Sequence, residues 1–168
     1  MANAGMRRST VGEAGVLQGP RPERSAIVPV MDIEELSQSF VDRAADLWRD
    51  VGLTRPWNDP LDDLARALGG PASTVLAGTE DGRLAATAMV GHDGHRGWVY
   101  YLAVAEDVRG RGLGRLMMAA CEDWLADRGI PKLNIMIRGD NASARGFYER
   151  LDYALDDVVV LSKRLRPG

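Results

Sequence analysis

The run Trp98-Val99-Tyr100-Tyr101-Leu102-Ala103-Val104 carries no charge, and a strand that is apolar at every position must be covered on both faces. That demands a central strand in a sheet with helices above and below. Directly after it, Arg109-Gly110-Arg111-Gly112-Leu113-Gly114-Arg115 opens a helix whose stripe is Leu113, Leu116, Met117, Ala120, Cys121, Trp124 and Leu125. Gly129 ends that helix and Pro131 prevents its continuation. A strand, a glycine-rich loop and an amphipathic helix in succession point to a mixed α/β fold.

The flanking chain supplies the other layers. Ile27–Val30 reads as an edge strand, since Pro29 lacks a ladder donor. Asp32 is expected to cap a helix carrying Ile33, Leu36, Phe40, Ala44, Leu47, Trp48 and Val51, closed by Gly52. Asp59-Pro60 starts a second helix that stops at Gly69-Gly70-Pro71. Thr74–Ala77 and Leu84–Val90 form a hairpin around Glu80-Asp81-Gly82, and Gly91–Gly97 leads into the apolar strand. Beyond the long helix, Lys132–Arg138 alternates as a strand, Asn141 opens a short helix through Leu151, and Val158–Leu165 is expected as a closing strand. The expected order is β-α-α-β-β-β-α-β-α-β.

Composition narrows the class. The 168 residues suit one domain, read as 27–168, while 1–26 hold no aromatic residue and no isoleucine and are expected to be a disordered basic tail, part of it dispensable if translation starts at Met6. With 21 basic and 24 acidic residues the net charge is −3, which argues against a nucleic-acid-coating domain. Cys121 is the single cysteine, so neither a disulfide nor a thiolate metal site can form within the chain, and a cytoplasmic setting is expected. No apolar run approaches the roughly 18 residues that span a bilayer, so no membrane partner is expected. The pair His92 and His95, with Asp93 between them, has no further strong ligand evident nearby, and no metal is expected.

The segment Arg109–Arg115 suits an anion. Glycines let a ligand approach the backbone, the first-turn N–H groups of the helix are unpaired, and three arginines add charge. The dinucleotide pattern fails because Arg115 stands where its third glycine belongs, and no Gly-Lys-Ser/Thr marks a nucleotide-triphosphate loop. An arginine-glycine RNA contact is disfavoured by the single short copy in an acidic domain.

Arg109-x-x-Gly112-x-Gly114, followed in order by Asp140-Asn141-x-x-Ala144-x-x-Phe147-Tyr148-Glu149-x-Leu151-x-Tyr153, resembles the GNAT superfamily of acetyl-CoA-dependent N-acyltransferases. A narrower likeness, to YpeA-type bacterial acetyltransferases, rests on Leu53-x-Arg55-Pro56-Trp57-Asn58-Asp59-Pro60 and Asp93-Gly94-His95-Arg96-Gly97. The resemblance implies a mostly antiparallel central sheet flanked by helices, splayed between its two central strands. It implies that the backbone of Leu102, Ala103 and Val104 meets the pantetheine arm of acetyl-CoA, that the amides of Arg109, Gly110, Arg111, Gly112, Leu113 and Gly114 hold the pyrophosphate with Arg115 a 3′-phosphate or surface contact, and that Asn141 lies beside the arm. Tyr148 would be the general acid toward the departing sulfur, and Arg55, Trp57 and Asn58 lie in the loop where relatives bind acceptors. The partner would be a small amine or a protein amine, and a homodimer would be ordinary for the family.

The reaction so implied is direct attack by a primary amine, since Cys121 sits mid-helix on the apolar face. The general base stays open among Tyr100, Tyr101, Glu106, Asp59 and ordered water. Asn141 is equally a helix cap, Tyr148 equally a core aromatic, and the alternative to an enzyme is a non-catalytic acyl-CoA-binding module. Two departures from the family pattern stand out: Asp152 replaces the glycine after the Tyr148 helix, and Glu106 replaces a frequent proline before the loop.

Overall fold

The computed structural model describes residues 31–165, so the expected tail over 1–26 and the expected strand Ile27–Val30 lie outside the described residues. The hairpin forms where its turn residues announce it: Asp81 and Gly82 have φ of 49° and 73°, the paired left-handed geometry of a two-residue turn. It joins β2 (Ser73–Glu80) to β3 (Arg83–His92), and β4 (Gly97–Val104) pairs antiparallel with β3 on the other side.

The first expected helix is corrected. Asp32–Glu35 is a strand, β1, paired antiparallel with β2 from Asp32 opposite Thr79 to Glu35 opposite Leu76. The helix α1 begins only at Val41 and runs to Asp50. Ile33 and Leu36 match helical spacing, but β2 offers an open backbone edge, and ladder hydrogen bonds to a neighbour outweigh a weak local preference. The helix α2 (Pro60–Leu68) starts as expected, with the Asp59 side chain accepting from Leu61 N–H at 2.9 Å.

The other helices are α3 (Leu113–Ala126) and α4 (Ala142–Glu149), with β5 (Leu133–Ile135) between them. The five strands lie in the order β1-β2-β3-β4-β5, with only β4 and β5 parallel. One face of the sheet packs on α1 and α2 through Ala44, Leu47, Trp48, Leu64, Val75, Ala77 and Ala103. The other packs on α3 and α4 through Leu76, Val90, Val99, Met117, Cys121 and Leu125, with Phe147 and Tyr148 alongside.

The central strands part company early. β4 and β5 pair only from Gly97 opposite Leu133 to Val99 opposite Ile135, leaving Tyr100–Val104 without a partner on that side. β5 is therefore shorter than the expected Lys132–Arg138, because it diverges from the one edge that could extend it. The closing strand is corrected too: Val158–Leu165 makes no ladder, and Val159 and Leu161 are 86% and 91% exposed. A β-branched run is a strand only where an edge accepts its backbone, and the short β5 pairs with no part of it.

Candidate active site

The loop before α3 is shaped by two left-handed glycines, Gly110 at φ 77° and Gly112 at φ 87°. A Cβ on either would meet nothing within 4 Å, so the backbone lies open. Gly112 caps α3 without any side-chain hydrogen bond, and Arg115 and Leu116 N–H turn back to its carbonyl. Among the described residues, the five amides from Gly110 to Gly114 donate to no backbone or side-chain acceptor. Five consecutive unpaired N–H groups at the positive end of a 14-residue helix form an anion cradle.

Gly114 serves a different end. A Cβ there would stand 3.2 Å from Phe147 Cζ, so the glycine lets α3 and α4 close together at the cradle. Leu113 is buried, which leaves it only its amide to offer.

The three arginines divide. Arg111 makes a two-pronged ion pair with Glu80 at 2.8 and 2.9 Å, anchoring the loop to the end of β2. Arg109 folds back, donating from Nε to Val104 O at 3.2 Å and lying 3.4 Å from Glu106. Arg115 is exposed and has no ion-pair partner among the described residues, so it is the guanidinium open to an anion. Glu106, which stands where the family often has proline, is thus held beside Arg109.

Along β4 the backbone is aimed by register. Ala105 N–H donates to Ala85 O at 2.9 Å and Ala103 lies opposite Thr87, so alternation turns the polar groups of Val104, and two residues earlier Leu102, away from β3 toward the splay. Ala103 points its own toward β3. Of the three β4 residues expected at the pantetheine arm, Leu102 and Val104 therefore turn their backbone there, the Val104 carbonyl already accepting from Arg109 Nε.

A bulge changes the faces midway. Thr87 pairs with Ala103 but Met89 with Tyr100, one extra residue on β4, and Tyr101 takes φ 49°. Val99 packs on the α3 face, whereas Tyr101 and Ala103, which strict alternation would place beside it, pack on the α1/α2 face. A left-handed aromatic residue costs on the order of 1–3 kcal/mol and persists only when its surroundings fix it. Here the Tyr101 ring stacks on Trp48 at 3.9 Å and 12°, and the Trp48 indole donates to Thr87 Oγ1 at 2.8 Å.

The Tyr101 hydroxyl donates to Asp63 Oδ2 at 2.6 Å, and burial together with that carboxylate raises its pKa. Asn58 Nδ2 approaches Asp63 Oδ2 at 3.3 Å and Tyr101 Oη at 3.5 Å, while Arg66 donates to Asp63 Oδ1 at 2.5 Å. Asn58, Asp63, Arg66, Ala67, Ser73, Met89 and Tyr101 line one cavity of about 330 Å³. Of the acceptor-loop residues, only Asn58 reaches it. Arg55 bonds the carbonyls of Gly52 and Thr54, and Trp57 is half-exposed beneath the Arg164 guanidinium at 4.7 Å. Asp63 and Arg66 were not expected at the site. The available signal was that Asp63 and Ala67, four residues apart on α2, share a helix face.

On α4, Asn141 Oδ1 accepts from Ala144 N–H at 3.0 Å, so its oxygen caps the helix and its amide nitrogen remains free among the described residues. Tyr148 lies edge-on to Phe147 and Tyr153, at 5.0 and 5.7 Å between ring centroids. Burial, and secondarily Cys121, raises its pKa to about 12, and its hydroxyl has no hydrogen-bond partner among the described residues. Asp152 takes φ 64° in the position expected for glycine, with Tyr153 N–H returning to Tyr148 O at 3.1 Å and Asp152 N–H to Glu149 O at 3.2 Å. Cys121 is fully buried and its thiol is pushed up to about 12 by that burial.

The remaining candidates are accounted for locally. Asp59 caps α2, Tyr100 is exposed, and Asp93 Oδ1 accepts from His95 and Arg96 N–H, which lowers its pKa and closes the turn on itself. No group of three metal-ligating side chains occurs among the described residues, and no helix there is long and apolar enough to cross a membrane.

Known proteins share this fold. The model of the acetyltransferase (GNAT) family matches residues 34–153. An acetyltransferase of Yersinia enterocolitica is 43% identical over 135 residues, covering 80% of this chain and 96% of that protein. Among solved structures, AAC(6')-Iy in complex with the bisubstrate analogue CoA-S-monomethyl-acetylneamine superimposes with a TM-score of 0.70 at 16% identity, over 81% of this chain and 99% of that one. A ribosomal-protein-alanine N-acetyltransferase from Brucella melitensis biovar Abortus does so with a TM-score of 0.65 at 21% identity, over 81% and 100%. With the anion cradle, the splayed strands and the order of elements all in place, the chain belongs to the acetyltransferase (GNAT) family and is an acyltransferase.

Proposed function

We propose that this enzyme transfers an acetyl group from acetyl-CoA to a primary amine by direct attack. The observation that carries the reading is the row of unpaired amides from Gly110 to Gly114, set beside the half of β4 that β5 leaves unpaired. The cradle suits the pyrophosphate, exposed Arg115 a further phosphate, and the Leu102 and Val104 backbone the amide-bearing pantetheine arm. Acetyl-CoA supplies a thioester whose carbonyl carbon is open to an amine. The amine nitrogen bonds to that carbon, an outward β4 amide holds the oxygen as it gains charge, and the carbon–sulfur bond breaks.

Tyr148 is the acid side of the reaction. At about 12 its hydroxyl stays protonated through the neutral range, and it is free to donate. A thiol of ordinary pKa, about 8.5, is the stronger acid, so the best role for Tyr148 is a hydrogen bond to the sulfur as negative charge builds. The thiolate then takes its proton, and the new amide nitrogen loses one, through solvent. A buried Cys121 thiol held at about 12 is unsuited to an acyl-cysteine intermediate, which favours direct attack.

Replacing Tyr148 with Phe should lower kcat by about 10²-fold with little change in acetyl-CoA affinity. Release of the CoA thiol against a panel of amines measures the rate, and calorimetry the affinity. Unchanged kcat would remove Tyr148 from the reaction. Acetyl-CoA binding without turnover on any amine would make the chain a binding module. Because Tyr148 stays protonated below about pH 11, the kcat profile should show no falling alkaline limb from this residue between about pH 6 and 10.

A further inference from the structure

We propose that Asp63, with Tyr101 and Asn58 around it, is the site that receives the acceptor's ammonium group, and that it selects a cationic primary amine. The inference rests on the acetyl-transfer reading and names the acceptor side of the same site.

Asp63 stands on the face of α2 turned to β4, its side chain only 16% exposed, yet it borders a cavity open to a ligand. A carboxylate has about four lone-pair positions for donors. Three are taken, by Tyr101 Oη, Asn58 Nδ2 and Arg66. The fourth is available to an N–H from the cavity. A neutral N–H would gain there a hydrogen bond in which only the acceptor is charged, whereas an ammonium gains one in which both partners are.

The bulge in β4 is what brings this group to the reaction. Without the extra residue Tyr101 would lie on the α3 face with Val99, and its hydroxyl could not meet α2. With it, Tyr101 reaches Asp63 through its side chain, while its chain neighbour Leu102 turns its backbone to the splay. One dipeptide thus links the ammonium site to the strand that would hold the thioester, and the ammonium received there loses one proton to solvent through the open cavity before its nitrogen attacks. Tyr101 is a positioning residue: stacked on Trp48, its phenol fixes the carboxylate without competing for charge.

Met89 and Ala67 give the open cavity of about 330 Å³ an apolar wall for the acceptor's carbon body. The shared chemistry is a primary ammonium on a carbon body, found both in free amino compounds and in the first residue of a peptide.

The test compares wild type with Asp63→Asn, Asp63→Glu and Tyr101→Phe in the full chain, using L-alaninamide, an alanine-led tetrapeptide and phenethylamine as cationic acceptors. Hydroxylamine, uncharged at neutral pH, is the neutral one. Asp63→Asn should raise KM for the cationic acceptors about tenfold or more, leaving KM for acetyl-CoA and hydroxylamine within about threefold. Asp63→Glu should recover part of the loss, and Tyr101→Phe should show a smaller rise in the same KM. Alaninamide and the tetrapeptide distinguish a free amino compound from a peptide terminus by which has the lower KM.

Unchanged acceptor KM in Asp63→Asn overturns the proposal, with or without a fall in melting temperature, since a residue that merely ties α2 to β4 would move stability alone. An equal rise for hydroxylamine also overturns it, because charge would not be what is recognised. If wild type acetylates other amines but none of the three cationic acceptors, the transfer reading stands and this inference is overturned; acetyl-CoA binding without turnover on any amine removes both.

Discussion

The two sides of the proposed site are built by different means. On the donor side, five amides and two left-handed glycines lie within one short segment, and their geometry follows from local chain conformation. On the acceptor side, Asn58, Asp63, Met89 and Tyr101 come from a loop, a helix and two strands, and only packing brings them together. The contrast shows why the cradle is readable from a motif while the cavity is not. A backbone cradle is specified by glycine spacing, whereas a side-chain pocket is specified by contacts far apart in sequence.

If the acceptor side depends on packing, Trp48 is where it should break. The ring is fully buried, stacks on Tyr101 and bonds Thr87. Trp48→Ala should destabilise the fold by about 3–5 kcal/mol in urea unfolding. Under conditions where the variant remains folded, it should raise acceptor KM while acetyl-CoA affinity changes little. Equal losses on both sides would show that the two are mechanically one.

The donor side should break at Gly112. Valine is β-branched, and φ of 87° is strained for it, by about 1–2 kcal/mol. Gly112→Val should therefore weaken acetyl-CoA binding about tenfold in calorimetry, with acceptor KM unchanged. A variant that binds acetyl-CoA normally would show that the cradle does not hold it.

The smallest effect sharpens the comparison by testing backbone geometry away from either ligand. α1, α3 and α4 all end on a left-handed residue, Gly52, Gly129 and Asp152. The first two are glycine and the third is not. Asp152→Gly should stabilise the protein by a few tenths of a kcal/mol to about 1 kcal/mol, read from thermal unfolding. A loss of stability would mean that the Asp152 side chain contributes more than its backbone strain costs.

Much of the fold was legible because its signals were local. Asp59-Pro60 capped α2, Asp81-Gly82 made the hairpin turn, and Gly129 ended α3. The failures share one cause. Ile33 joined a strand because β2 had an edge to fill, and Val158–Leu165 formed none because no edge received it. Strand identity depends on a neighbour that the sequence of the strand does not contain. The arginines show the same limit at the site: all three read as anion ligands, yet Arg111 is held by Glu80, thirty-one residues away.

By itself, then, the sequence determined the family motif, the cradle of Gly110–Gly114, the helix that aims it and the aromatic residue Tyr148, because each rests on residue type and short spacing. The tertiary structure decided which face Tyr101 takes, that Asp63 meets it, that only Arg115 among the loop arginines stays free of an ion-pair partner among the described residues, and that β4 and β5 part after Val99. These outcomes depend on a single bulge and on packing between distant elements. The chain encodes such contacts only through the whole set of surfaces it must bury at once.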